Sequence, residues 1–170
     1  MKDLNKLVEE CKEELDKIGI EYGNVREVTV NTRAKSRWGQ CCTEVNATNW
    51  CDKVFSINIS DRLLADDVSD VATKNTIIHE LLHSCEGGMT HKGNWKKLAE
   101  KVNYYYPQYN IKRCTTSEEK GIAPTEKEYN YILKCEKCGH EYKHIKMCKS
   151  VKHPEWYFCS RCNGTLKRVK

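Results

Sequence analysis

The sequence predicts an α+β domain followed by a small β module held together by metal. Three observations predict it. Helical and strand periodicities alternate through residues 1–113, two Cys-x2-Cys pairs stand near the C-terminus, and the charge divides between the two regions. The 170 residues include 29 Lys and Arg against 24 Asp and Glu, a net +5. Residues 126–170 hold 11 basic and 5 acidic residues, a balance of +6, which leaves 18 against 19, or −1, for residues 1–125. Residues 114–126 (CTTSEEKGIAPTE) are polar and include Gly and Pro, as a linker would. The expected organisation is a domain over 1–113, a linker over 114–126 and a second module over 127–170.

Each element has its own pattern. Leu4, Leu7, Val8, Cys11, Leu15 and Ile18 fall at helical spacing, which predicts a helix over 3–18 stopped at Gly19. Val28, Val30 and Thr32 alternate with polar residues, which predicts a strand over 26–33; others are expected near 38–43 and at Phe55–Ile59. Asp66 or Asp67 is the expected N-cap of a helix whose apolar face is Val68, Val71, Ala72, Ile78, Leu82 and Cys85, ended by Gly87-Gly88. Trp95, Leu98, Ala99, Val102 and Tyr106 mark one more helix, ended by Pro107.

Composition excludes several classes. No stretch approaches the 18 or so apolar residues of a membrane span, and 4 Trp, 9 Tyr and 2 Phe supply core material that a disordered chain lacks. Met1–Leu15 has no signal-peptide apolar region, so a cytoplasmic protein with no membrane partner is expected. Eleven cysteines, an odd number, argue for metal ligation plus buried free thiols, Cys41 and Cys42 among the latter, rather than a disulfide framework. Nothing in the pattern sets the oligomeric state.

His79-Glu80-Leu81-Leu82-His83 is an H-E-x-x-H motif. Four residues of helix advance about 6 Å and turn about 400°, so both imidazoles leave one face and can grip a single zinc ion. Glu80, one residue along, points beside the metal, where a carboxylate can take a proton from water. A catalytic zinc needs a third protein ligand and an open position. His91, beyond the Gly87-Gly88 reversal, is the first candidate and Glu100 the competing one. Trp38 is expected to pack under this helix with Gly39 allowing close backbone approach, or else this strand pairs with an extended substrate. Tyr104, Tyr105 and Tyr106 are read as a helix end packed on the core.

Cys135-x2-Cys138 and Cys159-x2-Cys162 have the spacing of a four-thiolate ribbon, with Gly139 and Asn163-Gly164 placed to accept positive φ after each pair. Four thiolates close the coordination sphere, so this zinc is structural, and the expected total is two Zn2+ per chain. Tyr129, Tyr131 and Leu133, then Trp156-Tyr157-Phe158, are expected as strands feeding the pairs; His140, His144, His153 and Cys148 are left spare. Lys143, Lys146, Lys149, Lys152 and Arg161 interleave with Trp156, Tyr157 and Tyr142, a pattern suited to a nucleic-acid backbone and base stacking. A solvated basic surface on a structural lid is the alternative.

The stretch from Asn31 to Asn103 resembles the SprT-like family of zinc metalloproteases, to which the DNA–protein crosslink protease Spartan belongs. The residues that carry the resemblance are Thr32-Arg-Ala-Lys-Ser-Arg-Trp-Gly-Gln-Cys41, Ser56-Ile-Asn-Ile59, Ile77-Ile-His-Glu-Leu-Leu-His83, and His91 with Trp95, together with the C-terminal cysteine pairs. One departure is that Lys92 precedes Gly93, where the family has Gly directly after the third His. The resemblance implies a zincin-like minimal metalloprotease domain with a zinc ribbon, acting as an endopeptidase on protein or peptide substrates, DNA-associated ones among them. Two alternatives stay open: a nucleic-acid-binding protein with a structural metal site, and a YgjP-like metal hydrolase of a non-protein bond, since that group shares the R-W-G-x-C element.

Overall fold

The computed structural model describes residues 1–34, 36–45, 47–123 and 128–170. They divide into two compact units, Met1–Pro124 and Thr125–Lys170. Both are mixtures of short helices and small sheets.

In the first unit Asp3 accepts a hydrogen bond from the Lys6 amide and opens α1 (Leu4–Lys17), which buries Leu4, Leu7, Val8, Cys11 and Leu15. Strands β1 (Asn24–Asn31), β2 (Gly39–Val45) and β3 (Val54–Ser60) form a sheet of order β1-β3-β2. The central β3 runs parallel to β1 and antiparallel to β2. It buries Phe55, Ile57 and Ile59, as alternation requires of a strand with one face on the core. A register shift between Val25 and Glu27 lets Val25 and Val28, three apart, both pack on the core. Val30, expected on that face, is exposed.

Helix α2 (Asp70–Ser84) begins later than its sequence suggests. Ser69, not Asp66 or Asp67, is the N-cap: its hydroxyl accepts from the Ala72 amide at 3.2 Å. Its apolar pattern also misleads. Val71 is exposed, whereas Thr73, Asn75, Thr76, Glu80 and Ser84 are buried. The reason is burial on nearly every side, between α1, the sheet and α3 (Asn94–Tyr105), so that the polar residues take hydrogen bonds inside the fold. Thr73 donates to the Leu63 carbonyl at 2.7 Å, and Ser84 to that of Leu81 at 2.7 Å. Of the three tyrosines ending α3, Tyr106 packs on the core while Tyr104 and Tyr105 face solvent.

Residues 114–123 are not a linker. A 3₁₀ turn over Glu118–Lys120 buries Lys120, Ile122 packs against the core, and the Ala123 carbonyl accepts from Arg62 at 3.2 Å. Polar composition concealed this, because the segment docks through backbone and one buried ammonium rather than through an apolar face. The rest of the expected linker, Pro124–Glu126, lies outside the described residues.

The second unit is a sheet of order β5-β4-β6, from β4 (Tyr131–Cys135), β5 (Glu141–His144) and β6 (Leu166–Arg168), with a short helix α4 (Lys149–Lys152). Trp156-Tyr157-Phe158 was expected as a strand; instead Pro154–Trp156 is a 3₁₀ turn, with Pro154 setting its start, and Phe158 makes one isolated bridge to Thr165. Among the described residues no helix is long and apolar enough to cross a membrane.

Candidate metal centres

The first centre is built on α2. His79 and His83, one turn apart, project from one face, and His91 returns to them from the following loop. The Nε2 atoms of His91 and His79 are 2.9 Å apart, and those of His83 and His91 3.1 Å. Three imidazole nitrogens of a tetrahedral zinc site with bonds near 2.0–2.1 Å stand about 3.3 Å apart, so the donor set fits such an ion. All three rings are held neutral, the ligand form. Burial, with the neighbouring imidazoles, lowers His79 to about 3, and burial first also lowers His83 and His91.

Each helix-borne ring is oriented from behind. His83 donates through Nδ1 to the Gly88 carbonyl at 2.8 Å, which frees Nε2. His79 is braced by Trp95, whose ring meets its own edge-on at 4.9 Å. Trp95, buried, lies against all three rings at 4.7–5.5 Å between centroids. Gly88 permits the reversal that brings His91 in, since a Cβ there would sit 2.2 Å from the Leu82 carbonyl oxygen. Glu100, the competing ligand, is instead exposed on α3 beside Lys96.

Glu80 is 6 % exposed, with no salt-bridge partner among the described residues. Burial raises its carboxyl to about 7; the nearby Cys41 backbone N–H and the charges of Lys120 and Arg37 oppose that rise. Gly39 makes the approach possible: a Cβ there would lie 2.7 Å from the carboxylate oxygen Oε1. Trp38 packs on the core and carries the Arg62 guanidinium over its ring at 4.7 Å. Cys41 and Cys42 are half-buried, not fully buried as expected, because they lie on a strand paired along one edge.

The second centre is the four-cysteine group. Cys135 and Cys162 sulfurs are 3.5 Å apart, Cys138 and Cys159 3.6 Å, and all four ligand atoms lie within 4.8 Å of one another. Sulfurs about 2.3 Å from a tetrahedral zinc stand about 3.8 Å apart, so this set also fits. The pairs fold alike: the Gly139 amide donates to the Cys135 carbonyl at 2.9 Å and Asn163 to that of Cys159 at 2.8 Å, both donors at positive φ. Gly164 is needed for space, since its Cβ would lie 2.9 Å from the Cys135 sulfur. Tyr142 places its hydroxyl 3.2 Å from the Cys159 sulfur, which pulls that thiol down to about 6. The Tyr142 hydroxyl is thus engaged in the knuckle.

Lys143, Lys146, Lys149, Lys152, Trp156, Tyr157 and Arg161 are all exposed. Lys143 lies over the Tyr129 ring at 5.6 Å, and His153 stacks on one face of Trp156 at 4.1 Å. Sequence reasoning missed the Gly88 carbonyl, which any residue could supply, and Lys120, set in a segment with no periodicity.

Fold and centres together define the class: a mixed α+β protein whose longest helix carries two members of a three-histidine group able to hold a metal ion, with a separate four-cysteine group in a second unit. The chain belongs to the SprT-like family, whose model matches residues 4–115. It is similar to "Protein SprT-like" of Bacillus subtilis (strain 168), at 33% identity over 97 residues covering 56% of this chain and 55% of that protein. It is 32% identical to the protein of the same name from Bacillus velezensis, covering 56% of each. The chain therefore spans just over half the length of these curated relatives. No solved structure matches it.

Proposed function

We propose that the first unit is a zinc-dependent endopeptidase of the SprT-like type. The observation that carries this reading is the buried Glu80 carboxylate, packed against Gly39 of β2 and one residue from a converging trio of imidazoles. A purely structural metal site has no use for such a carboxylate, since burying it costs stability. His79, His83 and His91 would hold Zn2+, a Lewis acid that activates water and polarises a carbonyl when bound. Glu80 takes the proton from the attacking water and returns it to the departing amine, the work of a general base raised toward neutral pH by burial. Strand β2 pairs only with β3 among the described residues. An extended peptide laid along its other edge would run past Gly39 and Glu80.

The ribbon supports a second reading for the C-terminal unit, contact with nucleic acid. Exposed Lys146, Lys149, Lys152 and Arg161 share this small unit with Trp156 and Tyr157, which supply charge for phosphate and ring faces for bases. Protein associated with DNA is the substrate this combination favours.

Incubating the chain with a disordered protein, with and without DNA, tests both readings. Cleavage should require metal, stop with a chelator, and disappear in Glu80→Gln while that variant keeps its zinc and fold. Normal turnover by Glu80→Gln would remove the mechanism. DNA bound without cleavage would leave the nucleic-acid reading alone.

A further inference from the structure

Lys120 is a lysine in a place lysines avoid. Its side chain is 3 % exposed, and its ammonium donates to the Ala72 carbonyl at 3.2 Å, Asn75 Oδ1 at 2.7 Å and Thr76 Oγ1 at 2.7 Å. These three neutral oxygens use all the donors of an ammonium. No carboxylate lies within 4.0 Å of it among the described residues; its neighbour Glu119 turns outward to Lys112. A buried, hydrogen-bonded but unneutralised charge is costly, and hydrogen bonds alone could have been supplied here by a neutral side chain.

Its position gives that charge a use. Thr76 is one helical turn before Glu80 and three residues before His79, so the ammonium sits on the α2 face that leads to Glu80. Lys120 also lies beyond the family-matched residues 4–115, in the segment that closes the first unit. The same helix turn is braced by Tyr109, whose carbonyl accepts from Asn75.

We propose that Lys120 is an electrostatic modulator of the histidine centre: its buried positive charge, held by three neutral oxygens one helical turn from Glu80, weakens metal binding there. The inference rests on the metal-centre reading, and its sign separates it from a structural role. A side chain that merely props α2 would, when removed, loosen the site and weaken metal binding. Removing an opposing charge strengthens it.

The test uses full-length protein with the ribbon already loaded with zinc, titrated with Co2+ and read by the visible absorption of nitrogen-bound cobalt. Lys120→Met keeps length without charge. Lys120→Gln keeps a polar end for Asn75 and Thr76, and serves if the Met variant does not fold. Either folded variant should bind Co2+ about fivefold more tightly than the parent, since a unit charge lost from a partly buried site is worth that much at moderate effective dielectric. Unchanged or weaker Co2+ binding in a folded variant overturns the inference and leaves the peptidase reading intact. A parent that binds Co2+ but cleaves nothing, with tighter binding in the variants, removes the peptidase and retains Lys120. A parent whose histidines take up no Co2+ overturns both.

Discussion

A Cβ on Gly39 would lie 2.7 Å from both Cγ and Oε1 of Glu80, so the first residue of β2 and the carboxylate on α2 share one contact surface. Gly39→Ala must push the carboxylate away, because the strand is held by its pairing with β3. The expected outcome is a loss of turnover of about a hundredfold, the scale of a misplaced catalytic group, with zinc content unchanged. Steady-state kinetics with metal analysis measures it. Parent-like turnover would mean that the carboxylate does not work from this position.

Metal-free protein offers a test of the burial of Glu80. Its folded carboxyl titrates at about 7 against an ordinary 4.5, chiefly through desolvation. The folded state keeps a proton that the unfolded chain gives up. Stability tied to Glu80 is therefore full below about pH 4.5 and lost as pH rises toward 7. The three histidines, lowered in the fold, contribute in the opposite sense: their stability is present above their ordinary value and lost as pH falls. Glu80→Gln removes only the first contribution. In a metal-free 1–123 chain it should therefore gain on the parent by up to about 3 kcal/mol between pH 4.5 and 7.5. Urea denaturation at the two pH values measures the gain; equal differences at both would contradict the burial.

Two zinc ions per chain are expected, and a chelator should remove the one on three imidazoles before the one enclosed by four thiolates. Cys159→Ser should lose the second ion and unfold its unit, since residues 128–170 have too little core to fold without metal. The first unit should keep its fold and its own zinc. One zinc ion in fully folded protein would eliminate a centre.

The basic excess predicts where DNA binds. Four thiolates and one zinc ion change the +6 of residues 126–170 to about +4, still attractive to phosphate. Deleting these residues should weaken DNA binding far more than peptide cleavage. The cut belongs after Ala123, because a chain ending at 113 would lack Lys120 and Ile122. Affinity of the full chain should fall with salt at a log–log slope of about −0.7 per contacted phosphate on single strands. Equal affinity of the two proteins would leave the ribbon without this role.

Features set by near neighbours in sequence were legible from the residues alone. The i, i+4 spacing of His79 and His83, the Cys-x2-Cys pairs, and the positive φ of Gly139 and Asn163 are fixed within one turn of chain, and the structure groups them as that spacing requires. The choice of His91 over Glu100 was not local. It depended on the Gly88 reversal and on α3 turning Glu100 outward. The start of α2 and its buried polar face were hidden for a related reason, since periodicity records one covered side and α2 is covered on several. Residues 114–123 misled most, for docking by a buried ammonium leaves no apolar signature. Only the tertiary structure could bring Lys120, forty residues on in sequence, to within one helical turn of Glu80, because that proximity is made by packing and not by spacing.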